Sequence, residues 1–574
     1  MSQTKTVDLI LRKARIIDGT GGPSQYVNVS IQDDRLMEVV ETGNIQASRE
    51  LDVGRKVVCP GFVDSHTHDD RLLLSDPNMS CKVSQGVTTV VAGNCGISLA
   101  PLQIDHRPPP PLDVLVKNQD QFFSGFGTYL HTLAEEPPSL NALCQVGHTT
   151  LRAAAMDSYD RPANVEEVSK MRKMLEDSLE AGACGMSTGL FYAPANAAPT
   201  SEVVELAHAL HEHGAFHTTH MRDEGEGIAD SLRETFTIGT KAEIPVVISH
   251  HKCSGATNHG RSLETLALID KARKVQALGL DAYPYTAGST VLSAYQNFEA
   301  KKVLITWSEP MPEYAGRELS EIAKELGMSE KEAVEALNPG GGIFFMMDEE
   351  DVQRILAFPQ TMIGSDGMPS DTHPHPRLWG TFPRVLGHYV REVKLFSLEE
   401  AVRKMTSLPA ACLGIKERGI LKPGNYADLV IFDVRYDLMN KDAGREAYLS
   451  SHIPGAIYVD LHSDLSRPPS INMGRHPLPN IKSMNELFSE LGVSGKKQVV
   501  VYDDVFGSFS SRLWWMLKYL QHDKVAVLDG GWQHWINLGG PVSTKNEKRI
   551  LVYRKKKAFS CKEKYFFLLS LIQI

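Results

Sequence analysis

The chain has no long hydrophobic run: nowhere in its 574 residues is there the stretch of roughly 20 apolar residues that crosses a membrane. Cysteine is scarce. Eight cysteines, at 59, 81, 95, 144, 184, 253, 412 and 561, follow no regular spacing, which excludes a disulfide scaffold and suits a reducing compartment. Basic residues are outnumbered 60 to 70, and a net charge of −10 leaves no electrostatic footprint for nucleic acid. Met1 to Asp8 lacks the basic start and apolar core of a signal peptide, so the cytoplasm is the expected location, with no membrane and no nucleic acid as partner. No repeat with a period of about 20 to 50 residues is present, which excludes a solenoid or a propeller. What remains, 42% hydrophobic and 23% charged, is an ordinary globular composition, long enough for about two to four domains.

The most informative stretch is Val57 to His68. An apolar run, Pro60-Gly61 and Phe62-Val63 lead to two histidines two residues apart. Alternate residues of a strand share a face, so His66 and His68 can reach one metal ion from one strand end. Before it, Asp8 to Ile17, Tyr26 to Ile31 and Arg35 to Val40 read as strands of a small β-domain, the first two separated by the turn Asp18-Gly-Thr-Gly-Gly-Pro23.

After His68, apolar strands alternate with helical stretches. Gly86 to Cys95, Asn141 to His148, Ala183 to Thr188, Ala215 to His220, Ile244 to His250, Gly279 to Tyr283 and Thr361 to Asp366 read as strands. Val165 to Ala181, Val203 to His213 and Ile228 to Ala242 have helical periodicity. With the strand before His66 this makes eight, the rhythm of a (β/α)8 barrel. His66, His68, Cys95, His220, His250 and Asp366 fall at predicted strand ends, which a barrel gathers on the face that carries active sites. These residue types in that placement point to a metal-dependent enzyme.

From about Thr6 to Asp433 the chain resembles the D-aminoacylases (N-acyl-D-amino-acid deacylases) of the amidohydrolase superfamily. The resemblance rests on Pro60-Gly-Phe-Val-Asp-Ser-His-Thr-His-Asp-Asp70, Gly93-Asn-Cys-Gly96, Gly189-Leu-Phe-Tyr192, His220-Met-Arg222, Ser249-His-His-Lys-Cys253, Asp281-Ala-Tyr-Pro-Tyr285, Gly364-Ser-Asp-Gly367 and Gly424-Asn-Tyr-Ala-Asp-Leu-Val430. It implies a tightly held zinc ion on Cys95, His220 and His250, and a second, weaker position formed by His66, His68, Cys95 and Asp366. It also implies hydrolysis of the amide of an N-acyl-D-amino acid, with Asp366 taking a proton from water and passing it to the leaving amine. A donor such as His250 or Tyr192 would help hold the oxyanion. Arg377 suits the substrate α-carboxylate, and Lys252 and Tyr283 resemble substrate-contact positions. Cyclic amides of the hydantoin or dihydropyrimidine kind are the alternative substrates.

Beyond Asp433 the chain resembles a rhodanese-like domain of the sulfurtransferases, in Arg445 to Asp460, Val499 to Asp504, Ser511 to Trp515 and Val527 to Trp532. Where that resemblance implies a persulfide-forming cysteine, Tyr502-Asp503-Asp504 offers aspartate, and Cys561 lies outside the domain. A sulfur-handling or interaction protein with a remnant barrel is therefore the alternative function. The expected organisation is residues 1–59 as the start of a small β-domain, 60–412 as an α/β TIM barrel, 413–433 as an incomplete return to the β-domain, 434–546 as the α/β rhodanese-like domain, and 547–574 as an unassigned tail. Residues 286–350, with a helix over Ser320 to Leu337, are expected to form an insertion, either a lid that helps choose the acyl group or side chain or an element that serves stability.

Overall fold

Apolar strands that read as continuous runs are buried on both faces, as a parallel sheet covered by helices requires. In the computed structural model, eight such strands form a (β/α)8 barrel: Phe62–Asp64, Val87–Ala92, Asn141–Cys144 continuing as Val146–Gly147, Gly185–Gly189, Phe216–His220, Val246–Ile248, Leu278–Ala282 and Thr361–Ile363. Every pairing between neighbours is parallel. The ring closes where Ser65 N donates to Ile363 O at 3.4 Å and Asp366 N to His66 O at 2.8 Å. The structure describes residues 6–40, 45–53, 56–116, 119–297, 299–432, 448–454, 456, 458–459, 464–466, 478–491, 493, 499–503, 510–520, 522, 525–528, 531–537 and 541–544.

Several strands are shorter than their sequence pattern. The second, sixth and eighth end at Ala92, Ile248 and Ile363, so Cys95, His250 and Asp366 lie two or three residues past the last paired position. The reason is conformational. These three residues adopt left-handed backbone, with φ of 53°, 36° and 50°, which turns the chain out of the sheet. The helices between strands follow the apolar periodicity closely: Val165–Glu180, opened by an Asn164–Glu167 capping box, Thr200–His213 and Ile228–Ala242.

The inserted segment differs from its reading. It is built on a three-stranded antiparallel sheet of Ala287–Val291, Lys302–Ser308 and Gly340–Phe345. The helix expected over Ser320 to Leu337 is two helices, Leu319–Leu326 and Glu330–Leu337. Gly327, at φ 69°, ends the first, and the Ser329–Glu332 capping box starts the second.

The small β-domain pairs Thr6–Ile16 with Gln25–Gln32, Gln46–Asp52 and Val57–Pro60. The return segment reaches both sides of that sheet. Leu429–Phe432 pairs antiparallel with Val57–Pro60, while Leu36 N donates to Asn425 O and Ala427 N to Asp34 O beside Arg35–Val40. The return segment thus adds one paired strand beside Val57–Pro60 and a single bridge, Arg35 to Tyr426, on the opposite side.

The chain divides into two units, Met1–Phe432 and Asp433–Gln573. In the second, Val499–Val501 and Val525–Val527 pair in parallel, with helices Ile481–Glu490, Ser510–Tyr519 and Gly531–Asn537. Its core holds Met484, Phe488, Val501, Met516 and Leu517. Residues 545–574, including Cys561, and Asp504 lie outside the described residues. Among the described residues no helix is long and apolar enough to cross a membrane.

Candidate active site

The Gly93-Asn-Cys-Gly96 turn has no room for side chains at its two glycines. A Cβ on Gly93 would lie 2.3 Å from Gln145 O, and one on Gly96 would lie 2.7 Å from Gly189 N. Both glycines have positive φ, so the turn needs them for space and for conformation. Asn94 locks the turn by donating to Val91 O (2.8 Å) and Thr67 O (3.3 Å) and accepting from Gln145 Nε2 (3.1 Å). The outcome is a cysteine aimed into the barrel mouth. Its Sγ lies 3.3 Å from His66 Nε2 and 3.2 Å from His250 Nε2.

Around that sulfur the donors form three overlapping groups: His66, Cys95 and His250; His66, His68 and Asp366; and His220, Glu224 and His250, the atoms of each group lying within 4.8 Å of one another. His68 Nε2 is 3.2 Å and His66 Nε2 3.6 Å from Asp366 Oδ1. The ring centroids of His220 and His250 are 4.4 Å apart. All six predicted donors are buried.

Electrostatics suit cation binding. Burial raises the Cys95 thiol, but the imidazoles of His66 and His250 outweigh it and hold the thiol well below its usual range. Burial likewise opposes the charge on Asp366, and Arg377 overcomes it, keeping the carboxylate ionised. Burial holds His220 below the usual imidazole range, so it is a neutral ligand type. Neither of its ring nitrogens has a hydrogen-bond partner. A buried imidazole with no hydrogen bond, 3.5 Å from the Glu224 carboxylate and facing a thiolate and a second imidazole, fits a transition metal rather than a packed core.

The predicted substrate contacts gather at the same place. His68, Cys95, His220, His250, Asp366, Tyr192, Lys252, Tyr283 and Arg377 all line one cavity, and His66 sits behind Cys95. Arg377 stacks over Tyr283 at 4.7 Å and donates from Nη2 to Ser289 O at 2.9 Å. Tyr192 OH pairs with Thr290 Oγ1 at 2.8 Å, which ties the cavity wall to the inserted sheet. Ile97, Val114, Met346 and Met368 give the cavity an apolar side, and Glu224, Ser289 and Thr290 also line it.

Two buried carboxylates were not singled out by the sequence pattern. Asp281 Oδ1 accepts from His250 N at 2.8 Å and lies 3.5 Å from His66 Nδ1, so it stabilises the left-handed backbone of one donor and faces the ring of another. Glu224 Oε1 is 3.1 Å from His250 Nδ1 and 2.6 Å from Lys252 Nζ. The only sequence signal for Glu224 is its place four residues after His220. A third buried group, Lys82, donates to Asp64 (2.8 Å) and Ser365 (2.7 Å) and so joins the first and last strand ends beneath Asp366.

Comparison with known proteins agrees with this geometry. Residues 49–264 and 256–452 match the Amidohydrolase family, and residues 420–538 match the Rhodanese-like domain. A D-aminoacylase of Alcaligenes xylosoxydans xylosoxydans is 52% identical over 432 residues, 75% of this chain and 89% of that protein. A D-aminoacylase structure concerned with the functional role of its binuclear metal center superimposes with a TM-score of 0.73 at 54% identity, covering 74% of this chain and 90% of that one. An N-acyl-D-glutamate deacylase from Bordetella bronchiseptica, complexed with zinc and a phosphonate that mimics the tetrahedral intermediate, gives 0.72 at 42% identity, covering 75% and 90%. The chain thus belongs to the amidohydrolase family, on its D-aminoacylase branch, and carries a rhodanese-like domain toward its C-terminus.

Proposed function

We propose that this protein is a zinc-dependent deacylase that hydrolyses N-acyl-D-amino acids to a carboxylate and a free D-amino acid. The observation that carries the reading is one cavity joining a thiolate and imidazole donor set to a buried guanidinium. Cys95, His220 and His250 would hold the tight zinc ion. His66, His68 and Asp366, with Cys95 shared, would form the second, weaker position. When bound, zinc supplies Lewis acidity, in the form of a polarised acyl carbonyl and a more acidic water.

The chain's own groups do the rest. Asp366, ionised and buried, accepts the proton of the attacking water and delivers it to the leaving amine. Arg377, with Nη2 held by Ser289 O and Nη1 facing Asp366, offers its guanidinium charge to an α-carboxylate, and Lys252 adds a second cation on the same wall. Tyr192, with its ring 4.9 Å from that of His220, supplies a hydroxyl for the oxyanion. The apolar wall takes the acyl group or side chain, and the inserted sheet contributes Ser289, Thr290 and Met346 to that selection. An arginine aimed into the cavity favours an open-chain carboxylate over a cyclic amide. The complete donor set argues against a remnant barrel. The seven described cysteines are all free, which supports a cytoplasmic location.

A panel of N-acetyl-D- and N-acetyl-L-amino acids, assayed with and without added zinc, tests this reading. Zinc-dependent release of D-amino acids supports it. Hydrolysis confined to L-substrates or to cyclic amides contradicts it.

A further inference from the structure

We infer that Glu224 is a positioning residue that holds the His250 imidazole in register with Cys95, and that Lys252 keeps it in place. The inference rests on the ligand assignment proposed above.

His250 presents its two ring nitrogens to different partners. Nε2 faces Cys95 Sγ at 3.2 Å, while Nδ1 lies 3.1 Å from Glu224 Oε1. A carboxylate and its ammonium partner packed behind an imidazole confine that edge of the ring and stop it turning about its bond to the backbone. His250 needs that support more than an ordinary histidine, because its backbone is left-handed and its loop has left the sheet. The backbone is held by Asp281 and the ring by Glu224.

Glu224 is itself immobilised. Its Oε1 takes the Lys252 ammonium at 2.6 Å, and Lys252 Nζ also donates to His250 O at 3.0 Å and lies 2.8 Å from His250 Nδ1. The ammonium thus closes a ring of contacts around the imidazole. The other oxygen, Oε2, is buried without a hydrogen bond and lies 3.5 Å from His220 Nε2, so the same carboxylate faces both imidazoles of the tight position. A charge buried this deeply persists only where it is paired, and Glu224 is paired with groups of the site itself. Lys252 also lines the substrate cavity, so one carboxylate links the geometry of the metal position to the cation next to the substrate.

The test is the zinc dissociation constant of the metal-stripped full-length chain, measured by competition with a chromogenic chelator. Glu224→Gln keeps the shape of the side chain and removes its charge, and is expected to weaken zinc about 10- to 100-fold. Because that change leaves Lys252 unpaired, Glu224→Gln/Lys252→Met is measured beside it. With neither charge present the double variant is expected to fold and to remain weakened to the same extent. A purely structural carboxylate would lower the thermal midpoint and leave the zinc constant of the folded protein unchanged. Wild-type zinc affinity in either variant overturns the inference. Cys95→Ala separates the two levels: if it loses zinc while Glu224→Gln binds normally, only the role of Glu224 fails. If Cys95→Ala itself binds normally, the ligand assignment fails.

Discussion

Arg377 places Nη1 2.8 Å from Oδ2 of Asp366, and both side chains are buried in the barrel mouth. The proposed carboxylate anchor and the proposed proton acceptor are thus in direct contact. A substrate carboxylate entering beside Arg377 shares that guanidinium with Asp366. Arg377→Met should therefore lower kcat/KM for N-acyl-amino acids by about 30- to 150-fold, the equivalent of a lost charged hydrogen bond of about 2 to 3 kcal/mol. Steady-state kinetics with a matched N-acyl amine lacking the carboxylate provides the control. If both substrates suffer equally, Arg377 serves Asp366 and does not hold the substrate.

Asp366→Asn removes the proposed proton acceptor while keeping nearly the same shape. The proposed tight position, on Cys95, His220 and His250, does not use Asp366, so the variant should retain its zinc. Hydrolysis should fall by about 100- to 10,000-fold. Deacylation at close to the wild-type rate would remove Asp366 from the mechanism.

The sequence showed the barrel and the donors better than it showed their support. His66, His68 and His220 announce themselves because β-branched and apolar strands lead to them. His220 ends its strand, whereas the first strand stops at Asp64 and leaves His66 and His68 two and four residues beyond it, outside the strand's period. Cys95, His250 and Asp366 were visible as strand-end residues, but their left-handed backbone was not, since a non-glycine residue gives no local sign of it. Glu224 stayed hidden because its partners, His250 and Lys252, are more than 20 residues away in sequence, and a carboxylate in a polar loop resembles a solvated one. The strand Gly340–Phe345 begins with three glycines, which have low strand propensity, and it forms because Ala287–Val291 and Lys302–Ser308 flank it. The pairing of Leu429–Phe432 with Val57–Pro60 joins segments hundreds of residues apart, beyond any local pattern.

Away from the cavity, buried Glu202 meets His148 Nε2 at 3.0 Å and the guanidinium of buried Arg152. Burial raises the Glu202 carboxyl, but these partners bring it down from 4.5 to about 2. A folded-state value below the unfolded one stabilises the protein at neutral pH, and that stability is lost as pH falls from about 4.5 toward about 2. Glu202→Gln should cost about 3 kcal/mol near pH 7, with a smaller difference from wild type near pH 3. Urea unfolding at both pH values measures it. A difference independent of pH would show that the ion pair is not the source.

In the C-terminal unit, Asp503 Oδ2 accepts from Ser510 N at 2.9 Å at the start of the helix Ser510–Tyr519. Aspartate there is a helix cap and cannot carry a persulfide. No cysteine occurs between Cys412 and Cys561. Thiosulfate:cyanide sulfur transfer should therefore be absent, and turnover above a no-enzyme control would refute this.

The measurement that bears most directly on the whole account is the zinc content of purified Cys95→Ala beside the wild type, by elemental analysis. Cys95 is assigned to the tight position and shared with the weaker one, so the wild type should retain about one zinc per chain through dialysis and the variant should lose most of it. Zinc content unchanged in the variant would contradict the account.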